Sequence, residues 1–145
     1  MKASRNRGAA TVEFALVLVI LLLLLFGMLE IGRAMFKWNS AAEATRIGAR
    51  TAAIVAVNDK AKVLAAMQPM MPELTADNVT LQYSTDGISF GGACTPGTCM
   101  LVRVGVSYTY RPVLILFDPA MALLPESIQM PTFETTYTVE ALGAT

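Results

Sequence analysis

Residues 8–29 read GAATVEFALVLVILLLLLFGML, and the fold turns on how this stretch is read. From Phe14 to Leu29 it is sixteen residues with no charge and no strong hydrogen-bonding side chain. As a helix that core is about 24 Å long, short of the ~30 Å hydrocarbon layer of a bilayer. Extended back to Gly8 it becomes twenty-two residues broken only by Glu13, long enough to cross. The block Leu21–Leu25 leaves no polar face, which argues against an ordinary buried helix of a water-soluble domain. The run also accounts for a 54% hydrophobic and 15% charged composition, where soluble domains have about 45–50% and about 25%.

Working outward from the run, Lys2, Arg5 and Arg7 lie before it with no acidic residue among them until Glu13. Positive flanks stay on the cytoplasmic side, so the N-terminus is expected inside and Glu30 onward outside. Setting those three cations aside, eight basic side chains remain against eleven acidic ones, a balance of −3. The remaining basic residues are scattered and form no stripe that would suit nucleic acid. A charged start followed by an apolar run also fits a secretory signal peptide, but no small-x-small cleavage pattern closes it. Immediately after Leu29 the chain reads EIGRAMFKWNSAAEATR, a pattern of continuing helix.

That helix has no proline from Glu30 to Val57. Ile31, Ala34, Met35, Trp38, Ala42, Thr45, Ala49, Ala52 and Ala56 recur at spacings of three and four and form a stripe of mostly small residues. Glu30 with Arg33, and Glu43 with Arg46, are i,i+3 pairs expected on the wetter side, Glu30 and Arg33 marking the outer edge of the span. Asn58-Asp59 breaks the pattern and is expected to cap a short helix from Lys60 to about Met67, ended by Pro69 and Pro72. The second half of the chain alternates instead. Val79, Leu81 and Tyr83 lead to an Asp86-Gly87 turn, Met100 to Tyr110 alternate throughout, and Phe133, Thr135, Tyr137 and Val139 alternate with threonines and Glu134. Three strands with one apolar face make a small antiparallel sheet, and the stripe on the stalk is its available cover. Between the last two strands, Asp118 and Pro119 are placed to start a short helix in an apolar segment, Val113–Leu124, whose facing is open.

The fold expected is therefore α+β: a long N-terminal helix, membrane span plus stalk, packed on a small antiparallel sheet in a pilin-like arrangement. The segments are a basic leader at 1–8, a membrane helix at 9–33, an amphipathic stalk at 34–68 and a sheet domain at 69–145. Cys94 and Cys99 enclose TPGT, a Pro-Gly turn that brings their ends together, and are expected to form a structural disulfide in an oxidising compartment. A metal site is the competing reading, but the chain has no His and no second Cys pair to complete one. Catalysis finds no support either. Without His there is no Ser-His-Asp triad, and no phosphate-binding, dinucleotide-binding or zinc-protease motif is present. No catalytic residue, metal or cofactor is expected.

The N-terminal stretch carries a resemblance. Gly8 followed by AATVEF is similar to the processing site of type IV pilin-like precursors, with a short basic leader, a Gly before the cut and a Glu at the fifth mature position. In the Flp/Tad branch an aromatic residue follows that Glu, as Phe14 follows Glu13. LEIGRAMF, AAEATRIGAR and VSYTYRPVLILF resemble the TadE-like family of minor pseudopilins. The resemblance implies a prepilin peptidase that cuts after Gly8, leaving Ala9 as the new N-terminus, with or without methylation. It implies as partners other pilin or pseudopilin subunits, the lipid bilayer and a Tad inner-membrane assembly platform driven by a cytoplasmic ATPase. The location implied is the bacterial inner membrane, single-pass, with the C-terminal domain periplasmic or carried into the pilus. Glu13 is then tolerable because the Ala9 amine, on the same or a neighbouring subunit, neutralises it. The rival reading is an uncleaved single-pass protein whose exported domain binds an envelope partner, with Glu13 reaching headgroups or pairing with Arg5 or Arg7.

Overall fold

The structure is a computed structural model that describes residues 6–91, 94–95, 97–113 and 127–139. One helix dominates it. α1 runs without a break from Asn6 to Ile54, 49 residues, or about 74 Å at the helical rise. Its first half is exposed along nearly all of its described length. The most apolar stretch of eighteen residues is only 6% buried, the reverse of a soluble core helix.

The helix ends where the sequence changes character. Asn58 takes a positive φ of 66°, which Asn tolerates better than most residues, and its backbone N–H donates to the Tyr83 hydroxyl at 3.1 Å. Asp59 then caps α2, Lys60–Met67, by accepting from the Lys62 N–H at 3.2 Å. That cap and that span are the ones the sequence predicts. The Lys62 ammonium and amide hold the Asp59 carboxyl below its ordinary range, the side-chain contact weighing most.

β1 (Val79–Ser84), β2 (Leu101–Val106) and β5 (Phe133–Thr138) form an antiparallel sheet in the order β1-β2-β5. The register aligns Val79, Val106 and Phe133 in one row, Leu81, Val104 and Thr135 in the next, and Tyr83, Val102 and Tyr137 in a third. These rows are the apolar face read from the sequence; the β1 and β2 part of it is largely buried in the core with α1, while on β5 Tyr137 stays 40% exposed. The α+β architecture is thus a long N-terminal helix laid on a small antiparallel sheet. Opposite α1, Thr80 donates to the Gly105 carbonyl at 3.4 Å, and a Cβ on Gly105 would collide with that hydroxyl. Asp86 organises the turn after β1 by accepting from Ser84, Ser89 and the Ile88 and Ser89 amides, while Gly87 supplies a φ of 75°. The Ser89 hydroxyl, ahead of those amides, keeps the Asp86 carboxyl well below the carboxylate range.

The long middle strand differs from expectation. It stops at Val106, because Asn78 takes both backbone groups of Ser107, accepting its N–H at 2.9 Å and donating to its carbonyl at 3.2 Å. The chain resumes as β3 (Thr109–Tyr110), paired with β4 (Ile128–Gln129) in a separate two-stranded sheet. Cys94 and Cys99 are joined, with Cα atoms 5.6 Å apart. The Asp118–Pro119 helix start and most of the Val113–Leu124 segment lie outside the described residues, as does the leader up to Arg5.

The core lies between α1, α2 and the sheet: Ala41, Ala44, Ala49, Ala52 and Ala53 from α1, Val63 and Met67 from α2, and Val79, Val102, Val104 and Val106 from the strands. Burying each of the larger side chains is worth about 1.5–3 kcal/mol. The predicted stripe is right at Thr45, Ala49 and Ala52 and wrong at its ends, since Ile31, Met35 and Ala56 are exposed while Ala41, Ala44 and Gly48 are buried. The helix is turned by roughly one position, bringing Glu30 rather than Ile31 toward the sheet domain. At Gly48 a Cβ would come within 2.6 Å of the buried Met67 Sδ and 3.2 Å of Val104 Cγ1. Gly48→Val is expected to destabilise the domain by about 1–3 kcal/mol through overpacking. Gly32→Ala, which meets nothing within 4 Å, is expected to cost nothing or to add up to ~1 kcal/mol of helix stability. Chemical denaturation in detergent micelles measures both.

Candidate functional site

Where α1 leaves its apolar run, the helix and the sheet domain are joined by polar contacts on one face. Glu30, Arg33 and Lys37 recur at three and four, so they share a side of the helix. Glu30 is buried at 8% exposure. Its carboxylate accepts hydrogen bonds from the Tyr110 hydroxyl and the Val113 backbone N–H, the latter at 3.1 Å. Arg33 reaches the same carboxylate at 3.3 Å. Two turns on, Lys37 pairs with Glu73, from the loop after α2, and Tyr108 donates to the other Glu73 oxygen at 2.7 Å. The two tyrosines of Tyr108-Thr109-Tyr110 thus fasten the β3 segment to α1 through two carboxylates.

This corrects the reading of Glu30 as a wet edge marker. The Glu30–Arg33 pair forms, but Glu30 is turned inward and Arg33 carries the solvent-exposed end. A buried carboxylate without partners would be costly; here donors from three places, Arg33, Tyr110 and the Val113 amide, satisfy it. Glu43 and Arg46 remain the exposed pair expected, 3.4 Å apart. A smaller polar joint lies farther along, where buried Thr45 donates to the Ala42 carbonyl at 2.7 Å and accepts from Thr135 of β5 at 3.1 Å. Trp38 meets Phe133 edge to face at 4.9 Å between ring centroids. Among the described residues no buried side-chain nitrogen or oxygen lacks a partner.

The residues singled out at the N-terminus sit together at the start of α1. Gly8, Ala9, Glu13 and Phe14 are all exposed. Gly8 and Ala9 lie near the N-terminal end of the described part of α1, and nothing lies within 4 Å of the Gly8 Cβ position. Glu13 and Glu30 are seventeen residues apart on one straight element, about 26 Å. One carboxylate therefore stands at each end of the apolar run. No cluster of His, Cys, Asp and Glu suited to a metal occurs among the described residues. Sequence reasoning missed Glu30, Glu73 and the tyrosine pair. The available signal was the spacing Tyr108-x-Tyr110 at a strand end, which puts two hydroxyls on one side.

A single N-terminal apolar helix, exposed over its first half and fastened to a sheet over its second, suggests a single-pass membrane anchor carrying an α+β domain. Residues 8–50 match the family model of the TadE-like proteins, so over this stretch the chain is similar to that family, which suggests involvement in Flp/Tad pilus systems. No curated protein and no solved structure matches the chain.

Burial first, and then the Glu30 carboxylate, push the Tyr110 phenol up to about 12; burial and Glu73 do the same for Tyr108. Phenols raised in the folded state add stability that is whole below their ordinary value near 10 and disappears as pH rises through about 12. Lys37, and after it Tyr108, hold the Glu73 carboxyl below 4.5, so its contribution is whole above that pH and is lost as pH falls below it. Phenolate absorbance should show two late-titrating tyrosines in the wild type and one in Tyr108→Phe. Glu73→Gln should flatten the acid limb of Tm against pH.

Proposed function

We propose that this protein is a minor pseudopilin that takes part in assembling or priming a Flp/Tad-type adhesive pilus, and that it acts by packing rather than by catalysis. The observation that carries the reading is the division of α1. Its outer half is committed to the sheet domain, while its inner half, inside the TadE-like match at 8–50, is apolar, largely exposed and headed by Gly8, Glu13 and Phe14. An uncovered apolar half-helix can take up lipid before assembly and the helices of other subunits after it.

In this reading the protein sits in the bacterial inner membrane with its N-terminus cytoplasmic and its sheet domain periplasmic, where the Cys94–Cys99 disulfide is favoured. Prepilin peptidase cleaves after Gly8. Gly8 suits that step, since Gly lowers helix stability by about 1 kcal/mol relative to Ala. The freed Ala9 amine then lies one turn from Glu13 and can neutralise its carboxylate, within the chain or across to a neighbour. Partners are the other pilin or pseudopilin subunits and the Tad assembly platform.

Intact mass of the protein from native membranes tests the processing step. The mature species is expected to begin at Ala9, with or without one added methyl, and Gly8→Val is expected to accumulate the longer precursor and lower pilus number. A wild-type species beginning at Met1 in cells with active peptidase would leave an uncleaved anchor. Unchanged pilus number, length and adhesion after gene deletion would overturn the assembly role itself.

A further inference from the structure

The two sides of α1 turn polar at different heights. On the side facing the sheet domain the change comes at Glu30, followed by Arg33 and Lys37. On the opposite side Met28, Ile31, Gly32, Met35 and Phe36 are all exposed, Met28 at 75% and Phe36 at 67%. That outward side becomes polar only at Asn39, and stays so through Glu43, Arg46 and Arg50, all exposed. Phe36 is six residues beyond Glu30, about 9 Å along the axis.

A bilayer measures about 30 Å across its hydrocarbon and about 40–45 Å with headgroups, leaving roughly 5–8 Å of interfacial layer on each side. A typical tilt of about 20° adds about 4 Å of immersion across a helix some 10–12 Å wide, on the side toward which it leans. The two together give roughly 9–12 Å, which reaches Phe36 and stops before Asn39. The stripe is also continuous with the uncovered run: Leu21, Leu24, Met28, Ile31 and Met35 recur at three and four along one side, each exposed.

We propose that the Met28–Phe36 stripe is covered by phospholipid, lying in the outer headgroup layer with α1 leaning toward it, and that Glu30 and the sheet domain are held on the upper side of the lean. The proposal rests on the reading of α1 as a membrane span. It explains why the polar lock is one-sided. A carboxylate on the lower side would enter the layer that the stripe occupies, whereas on the upper side it is sheltered by Tyr110 and Val113. The sheet domain is thereby lifted off the membrane surface, with Asn39, Glu43, Arg46 and Arg50 facing the water beneath it.

Trp38 is the sole tryptophan, so tryptophans can be moved one at a time in a Trp38→Phe background that keeps a ring against Phe133. The full chain is placed in phosphatidylcholine vesicles with and without brominated acyl chains, at high lipid-to-protein ratio. Leu23→Trp reports the span, Phe36→Trp and Ile31→Trp the stripe, and Arg50→Trp the polar side beyond it. Quenching at residues 31 and 36 at least about twofold above that at 50 is expected, given the depth of the interfacial layer. If residues 31 and 36 quench only as residue 50 does while residue 23 quenches strongly, the span stands and the lipid-covered stripe is overturned. If residue 23 is not quenched either, the span reading falls and takes this inference with it.

Discussion

The placement of Glu30 constrains everything else in the structure. A carboxylate turned inward at the end of an apolar helix is stable only with donors on hand, and Tyr110, the Val113 amide and Arg33 supply them. Satisfying it fixes the rotation of α1, which in turn decides that Ala41, Ala44, Gly48 and Ala52 meet the sheet. Small side chains at those positions let the helix backbone approach β2 and β5 closely, and Thr45–Thr135 and Lys37–Glu73 hold the register. The side left over is then fixed as well: Met28, Ile31, Met35 and Phe36 point away from the domain because Glu30 points into it.

One element thereby serves two environments. Above Glu30, α1 is half of a globular core in which valines of β1 and β2 and Met67 of α2 are shut away from water. Below it, the same helix carries leucine, isoleucine and valine fully open over about 30 Å. No break, proline or loop separates the halves, so a displacement or tilt of the apolar half is transmitted rigidly to the domain. A subunit whose place in an assembly is set by its helix would present its sheet at a defined height and angle for that reason.

Much of this was legible in the residues themselves. The alternation of Val79, Leu81 and Tyr83 and of Val102, Val104 and Val106 identifies a one-sided sheet, because period two and β-branched side chains suit little else. Asp59 before Lys60 marks the short helix by the same local chemistry that the structure uses. The Cys94–Cys99 loop is set by a turn only four residues long. The features that escaped are non-local. Glu30 looks like a surface residue because its partner Tyr110 is eighty positions away. The split of the second alternating run at Ser107 depends on Asn78, which the run does not contain. The rotation of the stalk is set by Glu30, so an error in placing one carboxylate propagates to Ile31, Met35 and Ala56.

The coupling between Glu30 and Tyr110 is the most direct measure of this account. A double-mutant cycle with Glu30→Gln, Tyr110→Phe and the pair, followed by denaturant unfolding of the sheet domain in detergent micelles, reads it out. Residues sharing a buried hydrogen bond are expected to couple by about 0.5–3 kcal/mol. Coupling in that range, with each single variant destabilised, would establish the carboxylate as the contact that seats the domain on its helix. Strict additivity, with Glu30→Gln as stable as the wild type, would contradict it and leave the small-residue packing alone to hold the two together.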